Sequence, residues 1–277
     1  VGDMVVCRIS ETAYYVVGPT LGEAIYKRWF DDRADGFDVS VRSVTGRMAV
    51  LGVTGPLSRA WLEKLSDDDF SNEAFPFMTQ REVEIGRVRT RALRISYVGE
   101  LGWELHVPAE SQSALLSTLL QSGKPFGFGL VGARALGNLR LEKGYRSWGA
   151  ELTTEINPRS AGLDRFCAKS KDYVGRAAVD AARDTAPARS LATLEVDADG
   201  ADCWGSEPIF KAGKLIGYAT SGGYGWRLGK SLCVGWIDTE NCVPGERLQV
   251  QILQRIRDAV VLADPAYDPN NCRLLGK

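Results

Sequence analysis

Four short runs in which apolar and polar residues alternate, each bounded by glycine-rich turns, fill the C-terminal part of the chain and leave it few folds to choose from. They are Ser190-Leu-Ala-Thr-Leu-Glu-Val196, Lys214-Leu-Ile-Gly-Tyr218, Leu232-Cys-Val-Gly-Trp236 and Arg247-Leu-Gln-Val-Gln-Ile-Leu253. A period of two over strand-sized lengths, repeated this often, predicts strands that bury one face, and strands without intervening helices close most economically into a barrel. Residues 187–277 are therefore expected to form a small all-β lobe, the β-barrel of the fold.

The first 186 residues read differently. Residues 4–10 and 13–17 predict a hairpin, and Gly18-Pro-Thr-Leu-Gly-Glu opens a helix reaching to about Asp32. Residues 39–53 are rich in β-branched side chains, Gly55-Pro56 breaks them, and residues 57–65 show helical apolar spacing. Residues 87–97 and 103–107 predict paired strands, with helices over 109–121 and 131–143. The expected class is α+β.

Composition removes several functions. Lys and Arg total 34 against 35 Asp and Glu, so no broad field favours nucleic acid or an acidic membrane, and recognition must come from a shaped site. No apolar run approaches the roughly 20 residues of a membrane helix. The six cysteines contain no Cys-x-x-Cys pair and His106 is the single histidine, which argues against a metal centre and against a disulfide scaffold. His106 lies in strand-like Trp103-Glu-Leu-His-Val107, where an ordinary strand histidine is expected.

Two glycine motifs fail on context. Gly127-Phe-Gly129-Leu-Val-Gly132 matches a dinucleotide fingerprint, but a helix and Ser122-Gly-Lys-Pro precede it where a strand is required, so it lacks its βαβ frame. Gly225-Trp-Arg-Leu-Gly-Lys-Ser231 has Tyr224 where a phosphate loop needs its first glycine, although Arg227 and Lys230 could meet an anionic ligand tail. The segment that carries chemistry is Arg94-Ile-Ser-Tyr97-Val-Gly-Glu100-Leu-Gly-Trp103-Glu104, a glycine-bounded loop between strands with aromatics and two carboxylates. A carboxylate can accept paired hydrogen bonds from an aminopyrimidinone, and Tyr97 or Trp103 could stack on its face. An ordinary hairpin with solvated acids fits the same residues.

The loop also carries a resemblance. Tyr97-Val-Gly-Glu-Leu-Gly-Trp-Glu104, Leu139-Arg-Leu-Glu-Lys-Gly-Tyr-Arg-Ser-Trp-Gly149, Asn157-Pro158 with Ala161-Gly-Leu163, Lys171-Asp-Tyr-Val-Gly-Arg176, Ser221-Gly-Gly-Tyr-Gly225 and Pro265-Ala-Tyr-Asp-Pro269 recur in the order found in aminomethyltransferase-type folate domains, the glycine cleavage T-protein family. Ser71-Asn-Glu-Ala-Phe-Pro-Phe77 and Glu142-Lys-Gly-Tyr-Arg146 look most like the folate domains of dimethylglycine and sarcosine dehydrogenases.

The resemblance implies a three-lobed cloverleaf, tetrahydrofolate as cofactor, Tyr97 and Glu104 as pterin holders, and Asp3 in the place of the family's catalytic aspartate. It implies transfer of one carbon from an oxidised N-methyl amine to give methylene-tetrahydrofolate, in a bacterial cytoplasm or a mitochondrial matrix. A methyltransferase or demethylase giving methyl-tetrahydrofolate, and a non-enzymatic folate-binding module, remain open. Lys143-Gly-Tyr-Arg-Ser-Trp-Gly149 lacks the cysteine of the relative that assists iron–sulfur cluster assembly, and Leu136 replaces an arginine of glycine-cleavage T proteins, which argues against a lipoyl-protein substrate. Because the chain opens at Val1 in strand-like sequence, the native polypeptide is expected to extend N-terminally, with FAD on that missing domain or on a partner flavoprotein.

Overall fold

A computed structural model describes residues 2–277, which divide into two compact units, 2–131 with 271–277, and 132–270. Val1, on which the expectation of an interrupted strand rests, lies outside the described residues.

The first unit opens with an antiparallel hairpin, β1 (Val5–Arg8) and β2 (Tyr14–Val17), in which Cys7 faces Tyr15 across the pair. Helix α1 (Glu23–Ala34) follows. Strand β3 (Met48–Thr54) leads through Gly55-Pro56 into the short α2 (Ser58–Leu62). Strands β4 (Gln80–Ile85), β5 (Val88–Leu93) and β6 (Gly102–Pro108) complete a four-stranded antiparallel sheet ordered β3-β6-β5-β4, and α3 (Gln112–Ser122) comes after it.

One sheet face is the core. Val53, Val83, Ile85, Ala92, Trp103, Leu105 and Val107 project from it onto Trp61, Phe70, Phe75, and Leu115 and Leu119 of α3. Phe70 and Phe75 hold their ring centroids 5.4 and 6.2 Å from that of Trp103. The buried Arg94 guanidinium stands 5.7 Å from the Trp103 ring and donates to the Asn72 side chain at 2.6 Å and the Leu275 carbonyl at 2.9 Å. That bond ties α6 (Cys272–Leu275) into this unit.

The sequence expectation of a long strand over 39–53 is corrected: only its second half is extended, and residues 45–47 form a turn of 3₁₀ helix. β-Branched residues favour a strand only where a partner and a burial surface exist, and residues 39–47 are exposed or half-buried with no paired strand. Strand β4 escaped the sequence pattern because charges occupy its outward positions, while Val83 and Ile85 alone face the core. It joins β5 through Gly86 and Arg87, both at positive φ, the geometry of a tight two-residue hairpin turn.

The second unit contains α4 (Ala133–Glu142), α5 (Arg176–Arg183) and six strands, β7 (Arg189–Val196), β8 (Pro208–Lys211), β9 (Lys214–Gly225), β10 (Lys230–Asp238), β11 (Arg247–Ile252) and β12 (Arg255–Val261). They close as a barrel in the order β10-β7-β12-β11-β8-β9. Leu194, Val196, Ile209, Ile216, Cys233, Leu248 and Val250 are among the side chains filling its core. Gly217 is required where β9 and β10 approach, since a Cβ there would stand 2.0 Å from the Trp236 carbonyl oxygen.

The end of α4 carries three buried charges, each satisfied within the unit. Arg140 donates to Glu151 Oε2 at 2.9 Å and to Ser221 Oγ at 2.7 Å. Glu142 Oε1 accepts the backbone N–H groups of Arg227 and Leu228 at 2.7 and 2.9 Å, fixing the β9–β10 turn. Lys143 donates to the Asp268 carbonyl at 2.6 Å and to its carboxylate at 3.2 Å. No helix among the described residues is long and apolar enough to cross a membrane.

Candidate functional site

Strand β6 sorts its side chains by parity. Trp103, Leu105 and Val107 enter the core, so Glu104 and His106 stand on the opposite face of the sheet. On that face the Glu104 side chain keeps 32% exposure, whereas His106 is buried. The cross-strand neighbour of Glu104 on β3 is Gly52, and a Cβ placed there would meet nothing within 4 Å. Cross-strand partners share a face, so the absent side chain leaves open space directly beside the carboxylate.

Glu104 is held from one side only. His106 Nε2 lies 3.2 Å from Glu104 Oε2, and no hydrogen bond from the described residues reaches Oε1. The other ring nitrogen, Nδ1, lies 3.0 Å from the Tyr15 hydroxyl of the N-terminal hairpin. Burial pushes the Tyr15 hydroxyl pKa up, partly offset by the nearby Arg91, and burial raises that of Cys7 as well. Next to this group a cavity of about 300 Å³ is walled by Met4, Tyr15, Tyr26, Met48 and Val50, among others. Val50 pairs with His106 across β3 and β6.

The residues singled out from sequence fall as follows. Tyr97 is in the loop after β5 with 39% exposure, seven positions before Glu104 and in the same unit. Asp3 precedes β1. Its residue is exposed, yet protein on one side desolvates the carboxyl and raises its pKa above the ordinary aspartate value. Arg227 is exposed on the β9–β10 turn of the second unit, its backbone held by Glu142. Trp103 is corrected: it is fully buried between Phe70 and Phe75, because odd positions of β6 face the core, and it offers no face for a ligand to stack on.

Tyr15, Gly52 and His106 were not assigned from sequence. Gly52 interrupts an apolar strand, and an isolated glycine in a strand is a known mark of close approach by another group. Tyr15 carried no local signal, since its role depends on a contact 91 residues away.

Known proteins resemble the chain throughout. Residues 1–171 match the family described as GCVT N-terminal domain, and residues 189–268 match the glycine cleavage T-protein C-terminal barrel domain. The mitochondrial dimethylglycine dehydrogenase of Rattus norvegicus is 36% identical over 89% of the chain, which spans 30% of that protein. The aminomethyltransferase of Koribacter versatilis is 30% identical over 96% of the chain and 71% of its own length. A crystal structure of the glycine cleavage system aminomethyltransferase T from Bartonella henselae superposes with a TM-score of 0.85, covering 96% of this chain and 72% of that one at 23% identity. That likeness bears out the α+β aminomethyltransferase-type fold with its C-terminal barrel.

Proposed function

Because the chain belongs to the glycine cleavage T-protein family, we propose that it binds tetrahydrofolate on the outer face of β6 and transfers to it one carbon from an oxidised N-methyl amine, giving methylene-tetrahydrofolate. The observation that carries this reading is Glu104, a carboxylate with one unengaged oxygen on a strand whose cross-strand neighbour, Gly52, leaves open space. A flat heterocycle with two adjacent N–H donors fits such a group, and the charge-assisted pair supplies both affinity and orientation.

When bound, tetrahydrofolate supplies nucleophilic ring and side-chain nitrogens that accept an electrophilic carbon. The chain's own residues bind, orient and handle protons. Glu104 accepts from the pterin edge, and Tyr97 lies on the same unit as its second holder. Asp3, with its raised pKa, stands as the group that orients the reacting amine and takes a proton. Holding the two reactants together provides most of the acceleration.

An N-methyl amine as carbon source is favoured by the likeness to a dimethylglycine dehydrogenase. Its oxidation needs an electron acceptor, which we assign to a flavoprotein domain or subunit carrying FAD. Mass spectrometry of the folate formed from dimethylglycine, with and without an added N-methyl amine-oxidising flavoprotein, tests this. Methylene-tetrahydrofolate that depends on the flavoprotein is expected; methyl-tetrahydrofolate formed without it would replace this reading by a methyltransferase.

Two substitutions locate the ligand. Glu104→Gln is expected to weaken tetrahydrofolate at least tenfold by titration calorimetry, as an amide mismatches one of the two donors. Gly52→Leu, whose Cβ enters open space with nothing within 4 Å, is expected to weaken it by a similar factor while the melting temperature holds. Wild-type affinity in both variants removes β6 from the site.

A further inference from the structure

We propose that His106 is a positioning residue for Glu104, held in turn by Tyr15, so that the carboxylate is oriented before any ligand arrives; the proposal rests on the tetrahydrofolate reading above. The chain has one histidine, and both of its ring nitrogens are engaged although the side chain is buried. A carboxylate oxygen only accepts, so Nε2 carries the proton donated to Glu104 Oε2 at 3.2 Å. In the neutral ring Nδ1 then accepts, and the Tyr15 hydroxyl at 3.0 Å donates to it. A three-residue chain of hydrogen bonds results, Tyr15 to His106 to Glu104, with a single direction.

The rings of the relay are packed as well as hydrogen-bonded. The Tyr15 and His106 rings meet edge to face, centroids 5.5 Å apart at 89°. The guanidinium of Arg91, cross-strand neighbour of His106 on β5, lies 5.2 Å from the Tyr15 ring centroid and pairs with Glu82 at 2.6 Å. A core histidine kept for packing needs only some partner for its polar atoms. Here the acceptor is the side chain two positions along the same face of β6, the one with open space before it. Glutamate otherwise loses rotamer freedom when a ligand fixes it, and the relay meets that cost during folding. Oε2 keeps a second lone pair and Oε1 both of its own, so the bond to His106 does not consume the ligand's acceptors.

The single histidine makes the test direct, because its imidazole ¹⁵N signals cannot be confused with any other. In the wild-type protein they are expected to report the Nε2–H tautomer and to shift when tetrahydrofolate saturates the site. Tyr15→Phe removes one hydroxyl and keeps the ring; it is expected to weaken tetrahydrofolate by about three- to tenfold, the scale of one lost hydrogen bond, with the melting temperature nearly unchanged. His106→Leu should lose more affinity, and His106→Gln, whose amide can still donate to Glu104, should recover part of it. Imidazole signals indifferent to tetrahydrofolate, or wild-type affinity in both Tyr15→Phe and His106→Leu while Glu104→Gln binds weakly, would overturn the positioning role alone. Wild-type affinity in Glu104→Gln as well would instead overturn the underlying folate site.

Discussion

Asp3→Asn is expected to lower the rate of one-carbon transfer by about 100-fold or more while leaving tetrahydrofolate affinity within a few-fold, the usual loss for a positioned proton-handling group. The amide preserves shape and most hydrogen bonding but cannot take a proton. Burial on one side already raises the Asp3 pKa above the ordinary aspartate value, which brings a carboxylate closer to the pH at which it must exchange protons. The sign of the pH dependence follows. The working form is the carboxylate, so the rate should fall as pH drops through the raised pKa, with an acid limb above the usual aspartate range that vanishes in the variant. Rapid-quench assays give the rate and calorimetry the affinity. Equal loss in both would make Asp3 an anchor for the ligand, and no loss in either would remove it from the reaction.

Glu151→Ala is expected to cost about 3–5 kcal/mol of stability, the scale for removing one partner of a buried ion pair. Glu151 is wholly buried, with Oε2 accepting from Arg140 at 2.9 Å and from the Ser147 backbone at 2.7 Å. Its Oε1 accepts from Thr220 at 2.7 Å and Ser221 at 2.5 Å on β9. Alanine would strand the Arg140 charge and take the acceptor away from the Ser147 N–H and the Thr220 and Ser221 hydroxyls. Urea denaturation followed by tryptophan fluorescence should show the lower midpoint. Replacing both partners with apolar residues, Arg140→Met with Glu151→Leu, should be less damaging than Glu151→Ala alone, since the uncompensated charge is then gone. If the single variant unfolds at the wild-type midpoint, the network is not what joins the end of α4 to the barrel.

The barrel was legible because apolar and polar residues alternate along its strands, so that Thr193 and Glu195 against Ala192, Leu194 and Val196 write a strand without any knowledge of its neighbours. Strand β8 was not, with four residues too few to show a period, nor was β12, whose first four residues are three charges and one isoleucine. At the site, the spacing from Tyr97 to Glu104 was readable, and the structure places Glu104 on the outer face of β6. Trp103 was misplaced by treating aromatic character as exposure, although strand parity forces it to the side opposite Glu104. His106 looked ordinary because a histidine in a strand carries no local mark; its two partners come from the neighbouring glutamate and from a hairpin far away in sequence. Leu139-Arg-Leu-Glu-Lys143 was visible as a motif, yet its charges serve internal pairing, which only tertiary structure discloses.

The two-sided character of β6 has a counterpart in how tolerant the strand should be of change. With the folate site proposed on β6, abundance and ligand affinity are expected to follow different faces of the same seven residues, so a saturation scan read by both assays should give two traces of period two that are out of phase. Substitutions at 103, 105 and 107 would deplete the protein from cells without altering the affinity of what survives. Substitutions at 104 would leave its amount intact and silence binding. Selection acting on one face is thus free to retune the ligand while the other keeps the strand in register, a division of labour set by nothing more than the pleat.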